Sequence, residues 1–148
     1  MKNIKIRELM PEDLPLIKDT MFYGIFNSQI YRNKFYSPLL RHLVKKICET
    51  SQGLIACDKD DETCIYSYII GHQSLTGNNE PFNVVHFVYT KQQFRKFGLA
   101  TILINQFNNN NNRVLHTFRT QLKTKKYTLT YVPEYMAIGE INVRKENN

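Results

Sequence analysis

The stretch FRKFGLATILI, from Phe94 to Ile104, places two basic residues and a lone glycine directly before an apolar helical run. The segment before it, FNVVHFVYT (82–90), is rich in branched and aromatic residues and predicts a strand that ends at Thr90. We therefore predict a strand, a short polar loop and a helix that begins near Gly98. The first N–H groups of a helix lack internal partners and carry partial positive charge, so this turn can bind a phosphate or pyrophosphate. The alternative interpretation is an ordinary helix start with solvated basic side chains.

Length and composition indicate one globular domain spanning residues 1–148, with 42% hydrophobic and 22% charged residues. No apolar run approaches the roughly 20 residues that a membrane span needs. The N-terminal MKNIKIRELMPEDL has charges where an export signal is apolar, so we expect a cytoplasmic protein without a membrane partner. The net charge of +7 favours anionic partners: nucleic acid, a phosphate-bearing cofactor or an acidic protein surface.

The cysteines give no metal-binding pattern. Cys48, Cys57 and Cys64 are odd in number, form no CxxC pair and have no zinc-ligand spacing with the four histidines. We predict buried free thiols and no metal site.

Periodicity predicts the elements of the N-terminal half. NIKIREL (3–9) alternates as a strand, and a helix with apolar positions Leu14, Ile17 and Met21 follows Pro11. Ser37 and Pro38 resemble the cap and first turn of a second helix. The apolar stripe of that helix comprises Leu39, Leu40, Leu43, Val44 and Ile47.

Short β-rich segments make up most of the remainder. GLIAC (53–57) and CIYSYIIGHQ (64–73) predict a hairpin, and the asparagines at 108–112 should end the third helix. Three further extended pieces are predicted at 114–120, 127–132 and 138–143. The order β, α, α, β, β, β, α, β, β, β indicates a single α/β or α+β domain with a mixed sheet.

The phosphate-loop patterns of nucleotide-binding proteins are absent, since there is neither GxxxxGK[ST] nor GxGxxG. The string Arg95-Lys96-Phe97-Gly98-Leu99-Ala100 instead matches the acyl-CoA loop R/Q-x-x-G-x-G/A. The helix continues as ATILINQF, which is similar to the LaxxLl run in the family of proteins that carry this acyl-CoA loop. IKIREL and MPEDLPLI are similar to its first strand and helix. In these residues the chain resembles the GNAT superfamily, the Gcn5-related N-acetyltransferases.

This resemblance implies a fold and a cofactor. The fold would be a central, mostly antiparallel twisted sheet flanked by about three helices, with a shortened C-terminal half. Acetyl-CoA or another acyl-CoA would bind with its pyrophosphate on the amides from Lys96 through Thr101. The pantetheine arm would follow Val88, Tyr89 and Thr90, which splay from the next strand. An unidentified amine acceptor would attack the thioester directly.

The chain also departs from the family pattern. Segment 82–90 contains no acid, which leaves His86 as a candidate base, although a histidine within a strand is often structural. Only QLKTKK separates the last predicted strands, too few residues for the helix whose tyrosine protonates the leaving sulfur. Tyr131 and Tyr135 are candidate substitutes, with core or edge packing as the alternative.

The C-terminal half resembles small GNAT-like proteins of phages and, more remotely, Mom-type DNA-modifying proteins. That resemblance implies that His116 and Arg119 face the active-site gap and bind substrate. Tyr23, Tyr31 and Tyr36 can line an acceptor pocket or simply cover the sheet. The alternatives to an acyltransferase are a non-catalytic binding module, or a nucleobase modifier, that contacts nucleic acid or a host protein.

Overall fold

The computed structural model describes residues 3–32, 34, 36–119 and 126–133. In this part of the chain a mixed sheet has the strand order β1-β2-β3-β4-β5-β6. The strands are β1 (Ile4–Glu8), β2 (Gln52–Asp58), β3 (Ile65–Leu75), β4 (Pro81–Thr90), β5 (Arg113–His116) and β6 (Thr128–Tyr131). The α-helices are α1 (Leu14–Phe26), α2 (Ser37–Thr50) and α3 (Leu99–Phe107). Short 3₁₀ helices, Pro11–Asp13 and Gln92–Phe94, precede α1 and α3.

The sheet combines two kinds of pairing. Strands β1 to β4 form an antiparallel meander, whereas β5 is parallel to both β4 and β6. The predicted α/β fold with a mixed sheet and three flanking helices is confirmed. The predicted hairpin is β2 and β3, which pair from Gln52↔Gly71 to Cys57↔Ile65.

The helices cover the two faces of the sheet separately. Helices α1 and α2 enclose one core, in which Tyr68 of β3 is fully buried. Helix α3 encloses the other core, where Leu103 packs with Ile69 and Val85. Alternation along each strand explains this division, because successive side chains point to opposite faces.

A buried ion pair ties the first strand to the first helix. The two terminal guanidinium nitrogens of Arg7, Nη1 and Nη2, each donate to a carboxylate oxygen of Asp13 at 2.8 Å. The Met10 N–H also donates to Asp13 at 2.8 Å. Burial alone raises the pKa of Asp13, but the bonds from Arg7 and Met10 outweigh it and the pKa is lowered. The carboxylate therefore stays ionised and holds the start of α1 against β1.

Several details of the sequence prediction were wrong. Helix α2 begins at Ser37 and its N-cap is Tyr36, so Ser37 is not the cap. Leu39 is 66% exposed, because the buried stripe of α2 runs instead through Leu40, Val44 and Ile47. Cys48 and Cys57 are buried free thiols as predicted, but Cys64 is exposed.

The predicted C-terminal strands have mixed outcomes. The strand expected over 114–120 is β5 and ends at His116, and the strand expected over 127–132 is β6. The strand expected at 138–143 lies outside the described residues. No helix in the described ranges is long and apolar enough to cross a membrane.

Candidate functional site

A bulge in β4 separates its two halves. Ile70 pairs with Phe87 and Gly71 pairs with Val85, so His86 is an extra residue in β4. Strand β5 pairs with β4 only at Val84 and Val85 in the described part of the chain. Since a bulge bends the strand that carries it, the second half of β4 diverges from β5. The sheet therefore opens between these two strands.

The open edge of β4 presents main-chain polar groups. The Lys91 N–H donates to Tyr66 O at 3.0 Å, so Lys91 faces β3. In antiparallel pairing alternate residues face opposite sides, which directs the N–H and C=O of Val88 and Thr90 toward the gap. The Thr90 carbonyl accepts a bond from Arg95 Nε at 3.0 Å. In the described part of the chain no strand pairs with Val88 on this side, so its main-chain groups are open to a ligand.

The turn before α3 lines the same gap. Lys96 and Gly98 have left-handed backbone conformations, with φ of 70° and 79°. Gly98 is the N-cap of α3. A left-handed residue followed by a helical one forms a concave group of N–H donors that binds anions. The first helical bond is Ile102 N–H to Gly98 O at 3.0 Å. Among the described residues nothing accepts the amides of Lys96 through Thr101.

Gly98 leaves the space above this turn empty. A Cβ built at Gly98 has no neighbour within 4 Å. The left-handed conformation disfavours most side chains, and a missing side chain lets a ligand approach the amides. The bond from Arg95 to Thr90 fixes the turn against the end of β4 and holds one positive charge beside it.

The gap and the turn together form a cleft of about 810 Å³. Its walls are the second half of β4, the start of α3, the end of β5 with the residues after it, and the end of α1 with residues 28–31. Gly24 of α1 permits this closeness, since a Cβ there would lie 2.6 Å from the ring of Phe87. No carboxylate side chain lines the cleft among the residues that the structure describes.

His86 lies at the floor of the cleft in a buried histidine pair. Its ring is 3% exposed, packs edge-on against His72 at 5.1 Å, and shares a 2.7 Å hydrogen bond between Nδ1 and Thr117 Oγ1. The Nε2 atoms of both histidines are buried without a partner in the described ranges. Burial, with a smaller contribution from the charge of His72, lowers the pKa of His86 to about 3. His86 is therefore neutral at pH 7 and a weak proton acceptor.

A second polar group lies at the mouth, formed by Tyr31, His116, Arg119 and Tyr131. The ring of Tyr131 is 5.8 Å from that of His116 and 5.1 Å from the guanidinium carbon of Arg119. The Tyr31 hydroxyl accepts the Arg119 main-chain N–H at 2.7 Å. Burial, opposed in part by that bond, raises the pKa of Tyr31.

The tautomer of His116 follows from its hydrogen bond. Nδ1 of His116 lies 2.8 Å from the carbonyl oxygen of Phe118. A carbonyl can only accept, so in the neutral ring Nδ1 carries the hydrogen and Nε2 carries the lone pair. His116 lines the cleft and is only partly buried, so this lone pair can take a proton there.

Most of the residues predicted from sequence meet in this cleft. Those that line it are His86, Val88, Tyr89, Thr90, Arg95, Lys96, Gly98, Leu99, Ala100, Thr101, His116 and Arg119. Phe97 points away and is 58% exposed, because the left-handed residues on either side turn the chain. Tyr131 lies beside the cleft wall, and Tyr135 lies outside the described residues.

For other residues, sequence patterns left two alternatives or led to no prediction. Tyr31 lines the cleft, whereas Tyr23 and Tyr36 are 51% and 70% exposed and cover the helices instead. Thr117, which bonds His86, could not be foreseen, because it comes close only through the β4–β5 pairing. No periodic signal in the sequence marks such a contact.

Comparison with protein-family models and with curated protein sequences gives no match. Solved structures do match. A possible acetyltransferase from Clostridium difficile 630 aligns with a TM-score of 0.59 and 16% identity, over 99% of this chain and 91% of that chain. A candidate acetyl transferase from Pyrococcus furiosus aligns with a TM-score of 0.54 and 10% identity, over 95% and 91%. A GNAT family acetyltransferase from Brucella melitensis, solved with acetyl-CoA, aligns with a TM-score of 0.48 and 16% identity, over 72% and 66%.

Proposed function

Because the chain has a GNAT-superfamily fold, we propose that it is an acyl-CoA-dependent N-acyltransferase that transfers the acyl group directly to an amine. One observation supports the proposal: Lys96 and the residues from Gly98 to Thr101, whose amides have no acceptor among the described residues, line the same cleft as the open edge of β4. An anion-binding turn and a strand edge that can pair with amides are what a pyrophosphate and a pantetheine arm require. Arg95 and Lys96 add the positive charge that a diphosphate needs.

The cleft residues divide the binding between them. The amides at the start of α3 hold the pyrophosphate, and Val88 pairs with the amides of the pantetheine arm. Acyl-CoA supplies an activated thioester carbonyl when it is bound. Proximity and orientation on the two fixed elements account for much of the rate that such a transfer needs.

The proton transfers belong to the group at the mouth. We assign His116 Nε2, rather than His86, as the acceptor of the amine proton, because His116 has a defined lone pair and His86 has a strongly depressed pKa. As the C–N bond forms and the C–S bond breaks, Tyr131, whose ring lies next to His116, would give its phenolic proton to the leaving sulfur.

A CoA titration tests the proposal. A ligand that binds only the folded state at a hundredfold excess over its Kd stabilises it by about 2.7 kcal/mol. For a domain of this size that corresponds to a rise in Tm of roughly 5 to 10 °C. Absence of a shift at millimolar CoA, with no heat of binding in calorimetry, would overturn the proposal.

A further inference from the structure

We infer that the acceptor amine carries an anionic group, a carboxylate or a phosphate, and that Arg119 binds this group. The inference rests on the proposed function, since it names the acceptor class for the same cleft. It begins from the electrostatics of the walls. Within the described ranges the cleft is lined by Arg95, Lys96 and Arg119 and by no acidic side chain. With Arg95 and Lys96 paired to the diphosphate, the described walls would still offer a polycationic amine no carboxylate, while Arg119 would repel it.

The basic residues lie on different sides of the gap. Arg95 and Lys96 belong to the turn before α3, whose core includes Val85 and Val88. Arg119 follows Phe118, which packs in the core of α1 and α2. The main-chain N–H of Arg119 is held by Tyr31, and its guanidinium lies over Tyr131 of β6, so this charge is on the β5–β6 side of the gap and not on the turn that follows β4. It is available to a second ligand.

Arg119 is held in position, and its side-chain donors have no acceptor among the described residues. Its N–H is held by the Tyr31 hydroxyl, and its guanidinium lies over the Tyr131 ring. An arginine stacked on an aromatic face keeps the N–H groups at its edge available. In the described part of the chain no carboxylate pairs with Arg119 and no acceptor takes its side-chain hydrogens. The planar fork of N–H groups matches a carboxylate or a phosphate in two-point geometry.

The position of Arg119 also suits an acceptor that reacts at His116. Arg119 and His116 both contact the Tyr131 ring, and both line the cleft. An amine whose anionic group is held by Arg119 would present its nitrogen near the lone pair of His116. Arg119 is thus a specificity-determining residue, and its loss should affect KM more than kcat.

Matched pairs of amines test this inference. Ethanolamine with phosphoethanolamine, and alaninamide with alanine, differ chiefly by a phosphate or a carboxylate, and spermidine represents the polycations. Thiol release from acetyl-CoA gives kcat and KM for each. We expect the anionic member of at least one pair to have a KM lower by about tenfold or more, as for a hydrogen bond to a charged group. The pair that shows it identifies the phosphate or the carboxylate as the group.

Variants separate recognition by Arg119 from general charge. Arg119→Gln keeps the main-chain N–H for Tyr31 and should abolish the difference within the pair, while Arg119→Lys should retain part of it. Arg113→Gln removes an exposed arginine of β5 that does not line the cleft and should leave the difference unchanged.

Three outcomes overturn the inference: equal KM within both pairs, a preference for spermidine, or no turnover with either anionic amine, whether or not an oligonucleotide is turned over. CoA binding is measured separately by calorimetry, and its absence would contradict the proposed function itself. Binding with turnover only on neutral or cationic amines would retain the acyltransferase and discard the anionic acceptor.

Discussion

Replacing Gly98 by aspartate or by asparagine isolates the charge requirement of the turn before α3. Both side chains are short and tolerate the left-handed conformation that Gly98 adopts, with φ of 79°. No atom lies within 4 Å of a Cβ placed there, so neither variant clashes with the protein. The two variants have nearly the same shape and differ by one negative charge. Any difference between them in CoA affinity therefore reports an anion beside residue 98.

The expected magnitude follows from the Coulomb energy. Two like charges roughly 4 Å apart repel by about 1 kcal/mol in water and by about 4 kcal/mol at an effective dielectric constant of about 20. The rim of the cleft is partly solvated, so we expect a value of about 1 to 3 kcal/mol. Gly98→Asp should then bind CoA about 5-fold to 150-fold more weakly than Gly98→Asn. The ratio should shrink as salt rises, because the Debye length is about 8 Å at 0.15 M.

Isothermal titration calorimetry of both variants with CoA, at low and high salt, measures this ratio. Gly77→Asp is the matched control: it adds the same charge at another glycine with open space around it, outside the cleft. This control should bind CoA like the unmodified protein. Equal affinity of the aspartate and asparagine variants at low salt would refute the assignment of the turn as the diphosphate site.

Three further predictions concern catalysis, acid sensitivity and stability. His116→Gln and Tyr131→Phe should each lower kcat by about 10²-fold or more with CoA affinity unchanged; unchanged kcat in either variant would remove that residue from the proton transfers. The pKa of His86 is about 3 in the folded protein, so the unfolded chain binds an extra proton between about pH 6.5 and 3, and the free energy of unfolding falls as pH decreases through this window. That loss should reach about 2 kcal/mol at pH 5 in urea titrations and should be smaller in His86→Asn; the same pH slope in both proteins would contradict the buried neutral ring. Arg7→Ala leaves the Asp13 carboxylate buried without its cation and should cost about 3 to 5 kcal/mol, whereas Lys18→Ala, at an exposed pair with Glu49, should cost at most about 1 kcal/mol; similar losses in the two would contradict a buried pair.

The local elements were predictable because their causes are local. Branched residues in β4, the glycine at position 98 and the asparagines after Phe107 act through neighbouring peptide groups. The start of α3 at Leu99, with Gly98 as its N-cap, lies where the sequence indicated. Asn109 and Asn110 adopt the left-handed conformation that ends a helix. The cofactor-binding assignment of residues 95–101 stays a prediction that the titrations above will test.

Local residue patterns were enough to predict a mixed α/β sheet with a basic, glycine-containing turn at the start of the third helix. Which polar side chains share the cleft depends instead on how the strands and helices pack. Three features depend on how separate elements meet: the extra residue at His86 in the β3–β4 ladder, the contact of Thr117 with His86, and the position of Arg119 between Tyr31 and Tyr131. The spacing of apolar residues along a strand predicts which face each residue occupies, but it does not predict the register in which two strands pair. Burial of His86 and partial exposure of His116 are set by that register.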